Sequence, residues 1–316
     1  MGIDQPGGGE TLVPIEAERK PHYRFMVMRH AERNIDGTLR PEGVANAQAV
    51  GETLSENSEV VKGYVSDEPS KRTFLTSDLI SESSGIKSPL TGEKYATKEV
   101  SGLTYEILKP DLFGELERGR RVVDEVTIKE LGLPADADLK KLPKEEQARV
   151  SPVRQKNEPF GAQYVLSQQP VVHRLAMGLA NQLVHEINIA QRYQRRRTPS
   201  PERPDVNLIQ KDAVLNTVTH LLLSESLFLE AAVRRTQEGQ LDKINNMEEL
   251  GGTIRPTEAY YLDVEDPSNL PEYIPVVFQG KGRPLAGSIF MEKAKLLNLA
   301  EEYKKWIIQK NAEDQK

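Results

Sequence analysis

Apolar residues in this chain fall into runs of two kinds, and the order of those runs predicts the fold. Residues 22–28 (HYRFMVM) are β-prone and almost wholly apolar, with Pro21 before them and charge after them, which predicts a strand. Residues 41–54 instead set Val44, Ala47, Val50 and Leu54 three or four apart behind Pro41, which predicts a helix. Residues 60–65 (VVKGYV) predict a second strand and residues 71–83 a second helix. A β-loop-α unit met twice in succession predicts an α/β fold: a mostly parallel open sheet with helices on both faces.

The middle of the chain is less regular. Residues 87–160 mix short apolar runs with prolines, glycines and charge, and LPADADLKKLPKEEQARV reads as an exposed insertion with short helices. Helical spacing returns over residues 169–196, through Val172, Leu175, Leu179, Leu183 and Ile187. It stops at Arg195, Arg196 and Arg197, and Pro199, Pro201 and Pro204 predict a loop. Residues 213–219 (AVLNTVT) predict a strand, followed directly by His220 and an apolar helix to about residue 232. Residues 259–264 and 274–279 predict two more strands, an antiparallel edge pair, and a charged helix starts near residue 288. The expected organisation is a flexible leader over residues 1–20 and one domain over 21–310, with an insertion at about 115–165 that forms a lid and specificity element.

Composition narrows the chemistry. The 316 residues are 37% hydrophobic and 28% charged, an ordinary balance for a globular protein. Net charge is -6, so no basic footprint invites nucleic acid, and an anionic substrate must be drawn in by local cations. The absence of cysteine excludes thiolate metal sites, thiol catalysis and disulfides. No apolar run is long enough to span a membrane and the N-terminus has no signal-peptide pattern, so the expected location is cytoplasmic.

Two histidines stand at matching places. His30 follows the first strand through Arg29, and His220 follows the strand over 213–219. Ligands of open α/β sheets bind beyond the carboxyl ends of the strands, so these groups are expected to converge on one pocket with Arg72, which comes soon after the second strand. Phosphoryl transfer through histidine needs this set. A neutral imidazole attacks phosphorus, and guanidinium groups match the phosphoryl oxygens with paired, permanently charged donors. A carboxylic acid then protonates the leaving group. His173 and His185 in the long helix read as structural, Arg195–Arg197 as a solvated helix end, and Glu225 as helix surface.

These segments resemble a known family. MRHAERN is similar to the strand-end Arg-His-Gly motif of the histidine phosphatase, or phosphoglycerate mutase-like, superfamily. LRPEGVANAQAVGETL resembles its Leu-Thr-x-x-Gly-x-x-Gln-Ala segment, YVSDEPSKRTFLTS its Arg-x-x-x-Thr segment, and VTHLLLSES its Val-Thr-His motif. The resemblance implies a phosphatase acting on a small phosphorylated substrate, with no metal or organic cofactor. It implies His30 as the phosphorylated nucleophile, with Arg29, Arg72 and His220 holding the phosphoryl oxygens and Asn34 at a further polar position. Leu221 after His220 departs from the His-Asp branch, so the general acid must come from mid-chain. PDLFGELERG resembles the corresponding family segment, and Asp111, then Glu106, then Glu115 are its candidate acids. Two alternatives stand beside the phosphatase: a mutase-type phosphotransferase, and a phosphate-binding module lacking the acid.

Overall fold

The computed structural model describes residues 22–34, 38–57, 60–66, 72–86, 97–100, 103–109, 111–197, 217–224, 231–233, 253–279 and 289–313. The expected leader, the proline loop after residue 197, Pro110 and Glu225 lie outside them. A seven-stranded sheet carries the fold, in the order β3-β2-β4-β1-β5-β6-β7. The strands are β1 His22–Arg29, β2 Val60–Ser66, β3 Thr97–Val100, β4 Thr217–Ser224, β5 Ala259–Val264, β6 Tyr273–Phe278 and β7 Ile289–Glu292. Pairing is parallel from β3 through β2 and β4 to β1. It is antiparallel from β1 through β5 and β6 to β7. The sheet is therefore mixed, which corrects the expectation of a mostly parallel one. The antiparallel pairing of β5 and β6 is as expected, but β7 rather than β6 forms the edge.

β1 lies in the interior of the sheet, and its sequence shows why. Alternate residues Tyr23, Phe25 and Val27 join one apolar cluster, and Met26 and Met28 join another. A strand covered on both faces needs apolar side chains on both, so the run is continuous rather than alternating. Helix α5 (Gln169–Arg197) and the last helix, α6 (Lys293–Glu313), pack on the first face. Helices α1 (Pro41–Asn57) and α2 (Arg72–Ser84) cover the second, through Ala47, Leu54 and Ile80. No helix among the described residues is long and apolar enough to cross a membrane.

The segment expected to be an insertion with short helices is a long helical hairpin. Helix α3 spans Phe113–Leu131 and α4 spans Lys144–Ser167. Gly132 ends α3 in the left-handed region, at φ 64°, while the Leu133 N–H reaches back to the Ile128 carbonyl at 3.0 Å. That closes the helix in the way glycine makes easy. Two prolines, Pro152 and Pro159, sit inside α4, both on its solvent side. They are two helical turns apart, so the backbone bonds they remove fall on one face, where water can serve the freed carbonyls.

The hairpin closes tightly where Gly119 and Gly161 meet. A Cβ built on Gly161 would lie 2.5 Å from Val123 Cγ2 and 2.6 Å from the Gly119 carbonyl oxygen. Gly161→Ala is expected to lower stability by about 1–2 kcal/mol, because overpacking against backbone outweighs alanine's better helix propensity. Urea denaturation checks this; a stability equal to or above that of the parent contradicts it.

Candidate anion-binding active site

Arg29 ends β1, and the chain beyond it is fixed from three sides. The Arg29 N–H donates to the Glu258 carbonyl at 3.1 Å, and the Thr257 N–H donates to the Arg29 carbonyl at 3.2 Å. Thr257 makes this contact at φ 60°, a conformation that a β-branched residue rarely adopts. On the other side the Ala31 N–H donates to Thr76 Oγ1 at 3.1 Å, and that hydroxyl donates to the Arg72 carbonyl at 2.8 Å. Thr76 thus locks the turn after β1 to the first turn of α2. From below, Gly43 of α1 sits so close to Glu32 that a Cβ there would lie 2.5 Å from the Glu32 carbonyl oxygen.

His30 is buried within this frame. Its Nδ1 lies 2.7 Å from the Ala31 carbonyl oxygen. A carbonyl only accepts, so Nδ1 carries a proton and the neutral ring holds its lone pair on Nε2. This is the tautomer a nucleophilic imidazole needs. Arg29 beside it is also buried. Its Nη1 donates to the Ile254 carbonyl at 2.9 Å, and its Nη2 makes an ion pair with Glu158 of α4. Burial pushes the Glu158 carboxyl up, but the charges of Arg29 and Arg33 and the Arg29 hydrogen bond outweigh it. The carboxyl is held below its ordinary range and is ionised at neutral pH.

Two adjoining cavities open here. The smaller includes His30, Asn34 and Gln155 in its lining. The larger runs on between α3 and α4 and includes Arg72, Tyr105 and Arg120. Arg29, Arg33, Arg154 and Glu158 line both, forming a shared wall. Five arginines line the larger cleft, of which Arg29, Arg120 and Arg154 are paired with Glu158, Glu117 and Asp124, in a protein whose net charge is -6. Local cations inside low-dielectric walls concentrate an attractive field for anions, whatever the sign of the whole.

Of the residues expected in one pocket, Arg29 lines both cavities, His30 and Asn34 line the smaller, and Arg72 lines the larger. Asn34 is a structural member of the loop, donating from Nδ2 to Thr38 Oγ1 at 3.0 Å. His220 is placed differently from expectation. β4 runs on to Ser224, and it is Ser224 that pairs with Arg29, while His220 pairs with Phe25. His220 is thus within the strand, its backbone roughly 13 Å before the strand end at about 3.3 Å per residue. The three expected acids lie outside both cavities. Asp111 is exposed and holds Arg174 of α5 through two bonds of 3.2 Å. Glu106 pairs with Lys109 at 2.8 Å, and Glu115 with Arg118 at 2.7 Å and Tyr164 at 2.8 Å.

Four residues of the site escaped the sequence reading: Arg33, Arg120, Arg154 and Glu158. The signal for two of them was present. Val150, Arg154, Glu158, Gly161 and Val165 recur three or four apart, one face of a helix. Pro152 and Pro159 within the same stretch spoke against a helix. Among the described residues, no group of three or more His, Asp or Glu is placed to hold a metal ion.

No family model matches the chain, and no curated protein matches it. Solved structures do. A mycobacterial glucosyl-3-phosphoglycerate phosphatase is 14% identical, covering 83% of this chain and all of that one (100%), at a TM-score of 0.37. A phosphoserine phosphatase from Entamoeba histolytica is 13% identical over 87% of this chain and 99% of its own, at 0.33. A phytase from Klebsiella sp. ASR1 is 14% identical over 90% and 94%, at 0.37. These are histidine phosphatase structures, the family whose motifs this sequence resembles.

The depressed Glu158 carboxyl makes a pH prediction. A carboxylate whose folded pKa lies below its unfolded value stabilises the fold above the unfolded value, about 4.3, and loses that contribution as pH falls through the folded one. Glu158→Gln is expected to cost about 1–3 kcal/mol near neutral pH, since it leaves a buried Arg29 donor without its charged acceptor and the Glu158 side chain is itself partly exposed. The gap between parent and variant narrows below pH ~4. Denaturation curves of both proteins at several pH values check this; a gap independent of pH contradicts it.

Proposed function

We propose that this chain is a phosphatase of the histidine phosphatase superfamily, a single domain with a helical hairpin inserted, that hydrolyses a phosphomonoester through a phosphohistidine on His30. The observation that carries the reading is the buried His30 ring, its Nδ1 proton engaged by the Ala31 carbonyl, beside a wall of guanidinium groups. The lone pair on Nε2 attacks phosphorus in line. The bond from phosphorus to the leaving oxygen breaks as the bond to nitrogen forms. Arg29, Arg33, Arg72 and Arg154 hold the three equatorial oxygens, whose charge they match before the reaction begins. In this proposal Arg33 and Arg154 stand where His220 was expected, because the register puts His220 inside β4.

Glu158 is the proton carrier in this scheme, replacing Asp111, Glu106 and Glu115. Free, it is the counter-ion of Arg29. An arriving phosphate dianion takes over that guanidinium, and the like charge beside Glu158 raises its pKa. The carboxyl then binds a proton, passes it to the leaving oxygen, and accepts one from the water that cleaves the phosphorus–nitrogen bond. The same ion pair favours a second reading, a phosphate-binding module without turnover, should Glu158 stay ionised on Arg29 when phosphate is bound.

Acid-quenched reaction with 4-nitrophenyl phosphate separates the two. The expected result is a labile phosphoenzyme that is absent in His30→Ala, whose kcat falls by roughly 10³-fold or more. Arg72→Ala is expected to cost about 10²-fold in kcat/KM, as for loss of one charged donor to the transferring group. Phosphate binding with neither a phosphoenzyme nor release of 4-nitrophenol would falsify the enzymatic reading.

A further inference from the structure

We propose that Gln155 is a further catalytic residue, a neutral donor that holds one phosphoryl oxygen in the His30 cavity. This rests on the phosphomonoester reading above. Two amide side chains line that cavity, Asn34 and Gln155, and they are fixed in opposite senses. Asn34 commits its nitrogen to the loop, donating from Nδ2 to Thr38 Oγ1 at 3.0 Å. Gln155 commits its oxygen, because Arg40 donates from Nη1 to Gln155 Oε1 at 3.2 Å. A guanidinium has donors only, so the atom turned to Arg40 is the oxygen and the N–H groups are on the other arm of the amide. Among the described residues no acceptor meets those N–H groups.

The backbone fixes both ends of this contact. Arg40 directly precedes α1, where its N–H donates to the Glu32 carbonyl at 2.9 Å and its carbonyl accepts from the Val44 N–H at 3.0 Å. Gln155 is half-buried on α4, next to Arg154 and one turn before Glu158, and all three line the His30 cavity. Positions three apart on a helix share a face, so Gln155 stands beside the proposed proton carrier. A neutral donor suits that place better than a further cation. Another positive charge one turn from Glu158 would hold its carboxyl ionised, whereas the scheme needs it to take up a proton when phosphate arrives. An amide adds a hydrogen bond to the phosphoryl group and leaves the Glu158 equilibrium to the phosphate itself.

Two variants of the full-length protein test this with 4-nitrophenyl phosphate. Gln155→Met removes the donors and is expected to lower kcat/KM roughly tenfold, the effect of losing one hydrogen bond to a charged group. Gln155→Glu keeps an acceptor for Arg40 but sets a charge against the phosphoryl oxygens. It is expected to lower kcat/KM roughly 10²-fold, to weaken inhibition by orthovanadate by a similar factor, and to leave the urea midpoint at or above that of the parent. A Gln155→Glu protein within about twofold of the parent in kcat/KM overturns the proposal, as does a loss of activity with unaltered inhibition by orthovanadate. If Gln155→Glu does not fold, Gln155→Met decides alone on the same limit. If the parent hydrolyses nothing, the phosphohistidine reading has failed separately. Dissociation constants for inorganic phosphate, measured by calorimetry, then take the place of kcat/KM, and equal constants in parent and variant overturn the proposal.

Discussion

The buried guanidinium of Arg29 is the constraint around which the site is built. A charge so far out of water must be matched by a counter-charge and by acceptors for its donors. The Ile254 carbonyl supplies an acceptor, and the Glu158 carboxylate supplies the charge. Because Arg29 ends the central strand β1 while Glu158 belongs to α4, this pair fastens the helical hairpin to the sheet. It also fixes the protonation state of Glu158, divides the lining into two adjoining cavities, and puts a carboxylate where an anionic ligand would go. An anion that enters must exchange with Glu158, so binding, proton uptake and the seating of α4 become one event in the proposed scheme.

The frame around that pair explains why it can be held so closely. β1 has parallel neighbours through β4 and antiparallel ones through β5, so its end is flanked by the last residue of one strand and by the turn before the other. Thr76 joins the chain after His30 to α2, and Thr257 caps the strand end from the β5 side at the cost of an unusual backbone conformation. The hairpin of α3 and α4 reaches the same place because its own glycines let the two helices close on each other. It has a small apolar cluster of its own, around Ile128, Leu139 and Val150, which keeps it ordered away from the main core.

Much of this was legible in the sequence, and the failures have physical causes. The strand end at Arg29-His30, the helix opening at Arg72 and the long helix α5 follow from period and from breaker residues, which are local signals. The register of β4 is not local. TVTHLLLS reads as a strand ending before a polar histidine, yet a strand paired on both sides in the sheet interior continues through LLLS, and that carries His220 back from the strand end. The carboxylates expected near residue 111 rest on the resemblance of PDLFGELERG to the corresponding family segment. The structure turns Asp111 toward Arg174 on α5 and brings Glu158, from the far arm of the hairpin, to the site instead. The short strands β3 and β7, four residues each, offer too few positions for any period to show.

A crystal structure of the protein with bound orthovanadate, a mimic of the transferring phosphoryl group, tests the central claim most directly. The account predicts vanadium at bonding distance from His30 Nε2, its oxygens on Arg29 and Arg72, and the Glu158 carboxylate displaced from Arg29 toward the apical oxygen. Vanadate bound elsewhere, with the ion pair between Arg29 and Glu158 intact, would contradict it.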